Sequence, residues 1–141
     1  MAPLNLLFVC VGNSCRSIMA EAIARREGGD RVVARSVGLA PAGFVAAPTL
    51  ATLEALGCAT DGLRSEGIEA VSGETFDVVV SLIGERGLEL LPSRIGHRLV
   101  VWDLPDPFGE DDALYRHVAR RLEEMVSALL AEELREELRL D

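Results

Sequence analysis

The chain has no lysine: all 14 of its basic residues are arginine, set against 23 acidic residues for a net charge of −9. A Walker-type phosphate loop needs its lysine, so that nucleotide motif is excluded. The acidic balance also argues against nucleic acid or an anionic membrane as a partner. The arginine-only set reads as genome composition or heat tolerance and says little about function. With three cysteines in 141 residues there is no disulfide framework, which points to a cytoplasmic chain. No apolar run is long enough to span a membrane, and Met1–Val11 lacks the charged start and cleavage site of a secretory leader. No G-x-G-x-x-G follows the first apolar run, against a dinucleotide site. Repeats and low-complexity segments are absent as well.

What the chain does contain is an alternation of two patterns. Leu4–Val9, Val32–Val37, Val78–Leu82 and Arg98–Val101 read as strands rich in branched residues. Helical patterns fall near Arg16–Arg26, Pro48–Leu56 and Glu85–Leu91, with a last one from about Asp112. This order predicts an α/β domain, a doubly wound four-stranded parallel sheet with helices on both faces and ligands at the carboxyl ends of the strands. In the final helix Leu114, Val118, Leu122, Met125 and Leu129 recur at helical spacing, so that stripe should pack on the sheet. Residues 1–131 are therefore expected to form a single catalytic α/β domain. Residues 132–141 read as a charged C-terminal helical extension, solvated rather than packed in a dimer. Gly38–Pro48 is the main long loop, expected to wall the cleft.

The densest chemistry lies in Cys10-Val11-Gly12-Asn13-Ser14-Cys15-Arg16-Ser17, straight after the first strand. A strand ending in a thiol, a short polar loop and a helix starting at an arginine bring a nucleophile, backbone N–H groups, a helix dipole and a guanidinium to one point. That field favours thiolate over thiol. Val11 through Ser17 are thus candidate oxyanion-binding residues around Cys10, with Gly12 and Asn13 supplying the positive φ angles that turn N–H groups inward. Arg16 can grip two oxygens of a tetrahedral anion. Ser17 can donate its hydroxyl to the thiolate. Cys15, beside Arg16, is a redox candidate able to pair with Cys10 if the two sulfurs meet. The plainer alternatives are a strand–helix turn with two buried cysteines, or half a metal site. C-x4-C is not the usual zinc spacing, and Cys58, His97 and His117 are scattered, so neither metal nor cofactor is expected. Cys58, with no charged neighbour in sequence, reads as a small hydrophobe. Trp102 and Phe44 are left open between core and cleft wall.

Cys10-x5-Arg16-Ser17 followed by Ile18-Met19-Ala20-Glu21-Ala22 resembles the low-molecular-weight protein tyrosine phosphatase superfamily, which includes the thioredoxin- and glutaredoxin-linked arsenate reductases. Ala34–Leu39 is similar to the family's second strand and turn, Phe76–Ser81 to its third strand, and Trp102–Pro107 to its distal Asp-Pro loop. The resemblance implies Asp106 as general acid, held between Pro105 and Pro107, with Asp103 the near rival. It also implies Phe108 as a cleft wall on which a phosphotyrosine ring would stack. The family's phosphatases tend to carry a second aromatic there, where this chain has Gly109, so half of that clamp is missing. Phosphatases also place proline where Ile18 stands, and the flanking sequences look more like the reductase branch.

Two activities share such a loop. In a phosphomonoester hydrolase of the low-molecular-weight protein tyrosine phosphatase type, Cys10 forms a thiophosphate intermediate on a phosphorylated protein or small phosphoester. In an arsenate reductase the same thiol attacks the oxyanion arsenate, and further thiols supply electrons. Reductases with an internal relay carry cysteines at positions corresponding here to Ile83 and Leu91, so an external thiol would be needed. The missing relay favours the hydrolase, and a non-catalytic oxyanion binder ranks last. The acidic run Glu110-Asp111-Asp112 should repel acidic phosphopeptides.

Overall fold

The computed structural model describes residues 2–140, with side chains described through residue 135. Four strands, β1 (Leu4–Cys10), β2 (Val32–Gly38), β3 (Phe76–Ser81) and β4 (Gly96–Val101), form one sheet in the order β2-β1-β3-β4. All pairings are parallel, with Leu4 opposite Val32, Leu6 opposite Val78 and Val78 opposite Arg98. β1 is central and its Leu6–Cys10 segment is buried, the continuous apolar run expected of a strand covered on both faces.

Helix α1 (Arg16–Gly28) follows β1 and packs on β1, β2 and the long helix α4 (Asp112–Leu140). Every residue from Arg16 to Ala24 is buried, with Ala20, Ala22 and Ala24 small enough to allow close approach on several sides. Helix α2 (Ala47–Ala55), with Pro48 in its first turn where a missing N–H costs nothing, covers the same face beside α4. Leu6, Phe8, Ile18, Met19, Ile23, Leu53, Val78, Val80, Trp102, Tyr115, Val118 and Leu122 make this main core. The opposite face holds a smaller cluster of Leu7, Val9, Val37, Val79, Leu91 and Ile95, capped by a 3-10 turn at Ile68–Val71 and the short helix α3 (Glu85–Glu89). The sheet is thus covered on both faces. Because β2 and β3 flank β1 on opposite sides, the carboxyl end of β1 is the switch point where doubly wound sheets open a crevice.

Trp102 belongs to the core, its ring centroid 6.1 Å from that of Phe8. Helix α4 passes residue 131 without a break, and Leu134 beyond it is buried in the main core. Arg98 on edge strand β4 pairs with Glu132 and Glu133. The side chains of 136–141, part of the expected extension, lie outside the described residues. Among the described residues no helix is long and apolar enough to cross a membrane.

Candidate active site

Cys10 is the last residue of β1 and Arg16 the first of α1, so the loop between them is stretched across the switch point. Its outer side is stitched to the next loop. Leu39, Ala40 and Ala42 donate their N–H groups to the carbonyls of Cys10, Val11 and Gly12 at 3.0, 2.9 and 2.9 Å. The Gly12 carbonyl also accepts from Ser65 Oγ at 3.0 Å. With the carbonyls engaged outward, the amides face inward. Among the described residues the N–H groups of Gly12, Ser14 and Cys15 have no protein acceptor. They border a cavity of about 170 Å³ lined by Cys10, Val11, Gly12, Ser14, Cys15, Arg16, Ala42, Asp106 and Phe108. The first turn of α1 has no side-chain cap, so its positive pole also opens on this space.

Only one of the two expected left-handed residues takes that conformation. Asn13 has φ +46°, whereas Gly12 is not in the left-handed region. Asn13 makes the turn because its side chain can be anchored beneath it, which glycine's cannot. It is fully buried, donates from Nδ2 to Ser17 Oγ (2.8 Å) and Ser36 Oγ (2.9 Å), and accepts the Glu66 N–H at Oδ1 (2.7 Å). The Glu66 bond fixes which end of the amide is oxygen. Since Ser17 Oγ accepts from Asn13, its own proton is free for Cys10 Sγ, 2.9 Å away. The Asn13 N–H also points to that sulfur, at 3.3 Å. Asn13 and Ser17 therefore lie under the cavity and act on the sulfur, while Val11, Gly12, Ser14, Cys15 and Arg16 line it.

Behind Ser36 is a carboxylate. Ser36 donates to Glu21 Oε1 at 2.5 Å, and Glu21 pairs with Arg25. Burial raises the Glu21 carboxyl above its usual 4.5, opposed by the Ser36 bond and Arg25. Nothing in the opening motif singles out Ser36 or Glu21. The available signal is a carboxylate inside the apolar run Ile18–Ala24, which an amphipathic helix would place outside.

Arg16 is buried, and its Nη1 donates to the carbonyls of Leu82 (3.2 Å) and Leu104 (3.1 Å). Both Nη1 protons are thereby engaged, leaving Nη2 and Nε as the fork for an anion. The same bonds tie the loops after β3 and β4 to the cavity. Asp106, on the second of these loops, places Oδ2 3.6 Å from Arg16 Nη2 and is itself 56% exposed. Its Oδ1 accepts the Phe108 N–H at 3.1 Å. Asp103 does not reach the cavity; it sits in a bridge with Ile83. A carboxyl at the mouth, a thiol at the base and donors between them can together hold a tetrahedral anion, attack its centre and exchange a proton with a departing oxygen.

Cys15 turns its sulfur to the Tyr115 hydroxyl, 3.3 Å away in the core, and both cysteines of the loop are free. Burial, with the neighbouring Cys15, pushes the Tyr115 phenol well above its usual value, so it stays protonated. Cys58 packs in the main core as a small hydrophobe, but it also has a charged neighbour that its local sequence does not show: Arg26 Nη1 lies 3.7 Å from its sulfur. The contact is made across 32 residues and so escapes a local reading. Burial raises the Cys58 thiol nonetheless. His97 and His117 are exposed. Among the described residues no group of three or more His, Cys, Asp or Glu side chains is placed to hold a metal. Ile83 and Leu91 pack in the two cores and carry no thiol.

Phe108 has an aromatic neighbour that does not itself line the cavity. Phe44, on the Gly38–Pro48 loop, lies with its ring centroid 6.2 Å from that of Phe108.

Residues 5–140 match the family described as low molecular weight phosphotyrosine protein phosphatase. The chain is 34% identical to a glutaredoxin arsenate reductase of Synechocystis sp., over 90% of this chain and 96% of that one. It is 30% identical to a protein-arginine-phosphatase of Bacillus subtilis, over 96% of this chain and all of the other. Among solved structures, an arsenate reductase in the phosphate binding state superposes with a TM-score of 0.81 at 32% identity, covering 92% of this chain and 98% of its own.

Proposed function

Since the chain belongs to the low molecular weight phosphotyrosine protein phosphatase family, we propose that it is a cysteine-dependent phosphomonoester hydrolase. The observation that carries this reading is the Cys10 sulfur at the base of a ring of unpaired amides, with the Ser17 hydroxyl behind it and Asp106 at the mouth. The loop amides and the free side of Arg16 bind the phosphoryl oxygens. Cys10 thiolate attacks phosphorus and the bond to the leaving oxygen breaks with its electron pair on oxygen. Asp106 donates the proton that oxygen takes up. Water then attacks the thiophosphate, Asp106 accepts its proton, and the sulfur departs as thiolate with inorganic phosphate released. No electrons are consumed. The substrate is a phosphorylated protein or a small phosphoester, and the three free cysteines suit a reducing, cytoplasmic compartment.

The arsenate reductase named among the relatives supports a second reading. There Cys10 would bond to arsenic, and two electrons would have to come from thiols. With Ile83 and Leu91 at the relay positions and Cys15 turned to Tyr115, an external thiol would supply them.

The test is hydrolysis of p-nitrophenyl phosphate by the reduced protein, with Cys10→Ser and Asp106→Asn beside it. A mixture of glutathione, glutaredoxin, glutathione reductase and NADPH containing arsenate is followed in parallel by NADPH consumption. The hydrolase reading expects turnover lost in Cys10→Ser, strongly reduced in Asp106→Asn, and independent of added thiol. NADPH consumption dependent on Cys10, with no phosphoester turnover, would replace it with the reductase.

A further inference from the structure

The two edges of the sheet are finished differently. At the β2 edge the outward backbone groups are engaged: Arg25 Nη2 donates to the Ala34 carbonyl at 3.2 Å, and the Gly38 N–H donates to the Glu66 carbonyl at 2.8 Å. Gly67 also runs alongside in a parallel bridge with Gly38. The β4 edge is bare. The Trp102 N–H bonds to the Ser81 carbonyl at 2.8 Å, and Val79 and Ser81 stand opposite Leu99 and Val101. That register turns the backbone of Val100 toward β3 and the N–H and C=O groups of Leu99 and Val101 outward. Among the described residues these outward groups have no hydrogen-bond partner.

Edge strands are commonly protected by a proline, a bulge or a charge held over them. β4 has no proline, its pairing with β3 skips no residue, and its one arginine, Arg98, is drawn off the strand to Glu132 and Glu133 of α4. Val100 packs on the main core. Leu99 and Val101 alternate with these residues and so face away from α4, where they are 48% and 36% exposed. Gly96–Trp102 contains no acidic residue in a chain of net charge −9, so two such strands bring no carboxylates face to face.

We propose that β4 is a self-association edge on which a second copy of this chain pairs antiparallel, joining the two sheets into one. A two-fold axis at Val100 sets Leu99 of each copy opposite Val101 of the other, and each such pair exchanges both its N–H···O bonds. The facing side chains are then apolar, and the next position outward sets His97 opposite Asp103 of the second copy. An axis at Arg98 instead would set two arginines against each other, which is unfavourable. β3 separates β1 from this edge, and the two-fold sends the loops that carry Asp106 in opposite directions. Both Cys10 cavities therefore stay open, and turnover at Cys10 does not require the pairing. One strand pair is a small interface, so the association is weak and depends on concentration.

Sedimentation equilibrium of the wild type should show the 15.2 kDa mass rising toward twice that value between roughly 10 and 500 μM. Leu99→Lys and Val101→Glu each set a charge against an apolar side chain and should stay monomeric alone. Mixed in equal amounts they should recover the dimer, since the introduced lysine and glutamate then stand opposite each other. Circular dichroism checks that both variants are folded. Hydrogen exchange of the Leu99 and Val101 amides, expected to slow as wild-type concentration rises, gives an answer without any variant. A wild type that keeps the monomer mass throughout would overturn the proposal. So would masses that pass beyond the dimer, amide exchange independent of concentration, or dimers that each variant forms alone as readily as the wild type. A monomeric mixture beside a dimeric wild type would overturn the pairing of Leu99 with Val101.

Discussion

Asn13 is the residue on which the shape of the loop depends, so replacing it should cost stability in a calculable way. Asn13→Ala removes three side-chain hydrogen bonds, to Ser17, Ser36 and Glu66. Each contributes about 0.5–1.5 kcal/mol net. It also leaves a Cβ-bearing residue without side-chain anchorage at φ +46°, which costs about 1–2 kcal/mol. The sum is about 3–6 kcal/mol. Asn13→Gly loses the same bonds but is relaxed at that φ, so it should recover about 1 kcal/mol. With a urea slope of about 2 kcal/mol/M, the midpoint of Asn13→Ala falls by roughly 1.5–3 M. Circular dichroism of the three proteins in urea gives both differences. A loss below about 1 kcal/mol in Asn13→Ala would refute the bond accounting. Equal midpoints for Ala and Gly would refute the role of the positive φ.

Three further perturbations test other parts of the structure. Glu21 is held above its usual 4.5 chiefly by burial, with Arg25, Glu66 and Arg35 as charged neighbours. The folded protein therefore keeps a proton that the unfolded chain releases as pH climbs past 4.5, and stability falls with rising pH across the window that opens there. Glu21→Gln should flatten the decline of Tm from that pH toward neutrality; parallel slopes would contradict it. A Cβ at Gly38 would stand 2.6 Å from the Val11 carbonyl and 2.9 Å from the Asn13 nitrogen. Gly38→Ala should thus keep its far-ultraviolet spectrum but weaken inhibition by inorganic phosphate roughly tenfold to a hundredfold, and an unchanged inhibition constant would show that the loop tolerates the shift. Leu134, buried beyond residue 131, should cost about 2–3 kcal/mol when changed to Ala. A negligible change in the urea midpoint would support a separate, solvated extension from residue 132.

The arrangement of the candidate site was legible because it is local. Cys10, Arg16 and the loop between them are consecutive, and a strand followed by a helix start puts them at one sheet edge whatever the rest of the chain does. Placing Asp106 at the cavity required the family resemblance, since a carboxylate in an acidic stretch has no local mark of where it will lie. The parallel sheet followed from branched runs separated by helical periods. What stayed hidden depends on pairs far apart in sequence. Ser36 reaches Asn13 from the neighbouring strand, Arg26 reaches Cys58 from another helix, and Phe44 meets Phe108 from a different loop. The buried stripe of α4 runs through Tyr115, Val118, Ala119, Leu122 and Val126, so Tyr115, facing the Cys15 sulfur, takes the place expected of Leu114, which is only half-buried, as is Met125. The long loop was foreseen as a cleft wall, but which of its residues would face Phe108 is set by the turn at Gly43.

If Cys10 is the nucleophile, its sulfur bonds to phosphorus during turnover. Asp106→Asn, which slows both leaving-group departure and attack by water on this account, should be mixed with p-nitrophenyl phosphate, quenched in acid and examined by peptide mass spectrometry. One phosphoryl group is expected on the peptide carrying Cys10, absent when Cys10 is also changed to Ser. Product formation at an undiminished rate in Cys10→Ser, or a phosphoryl group found on another residue, would contradict it.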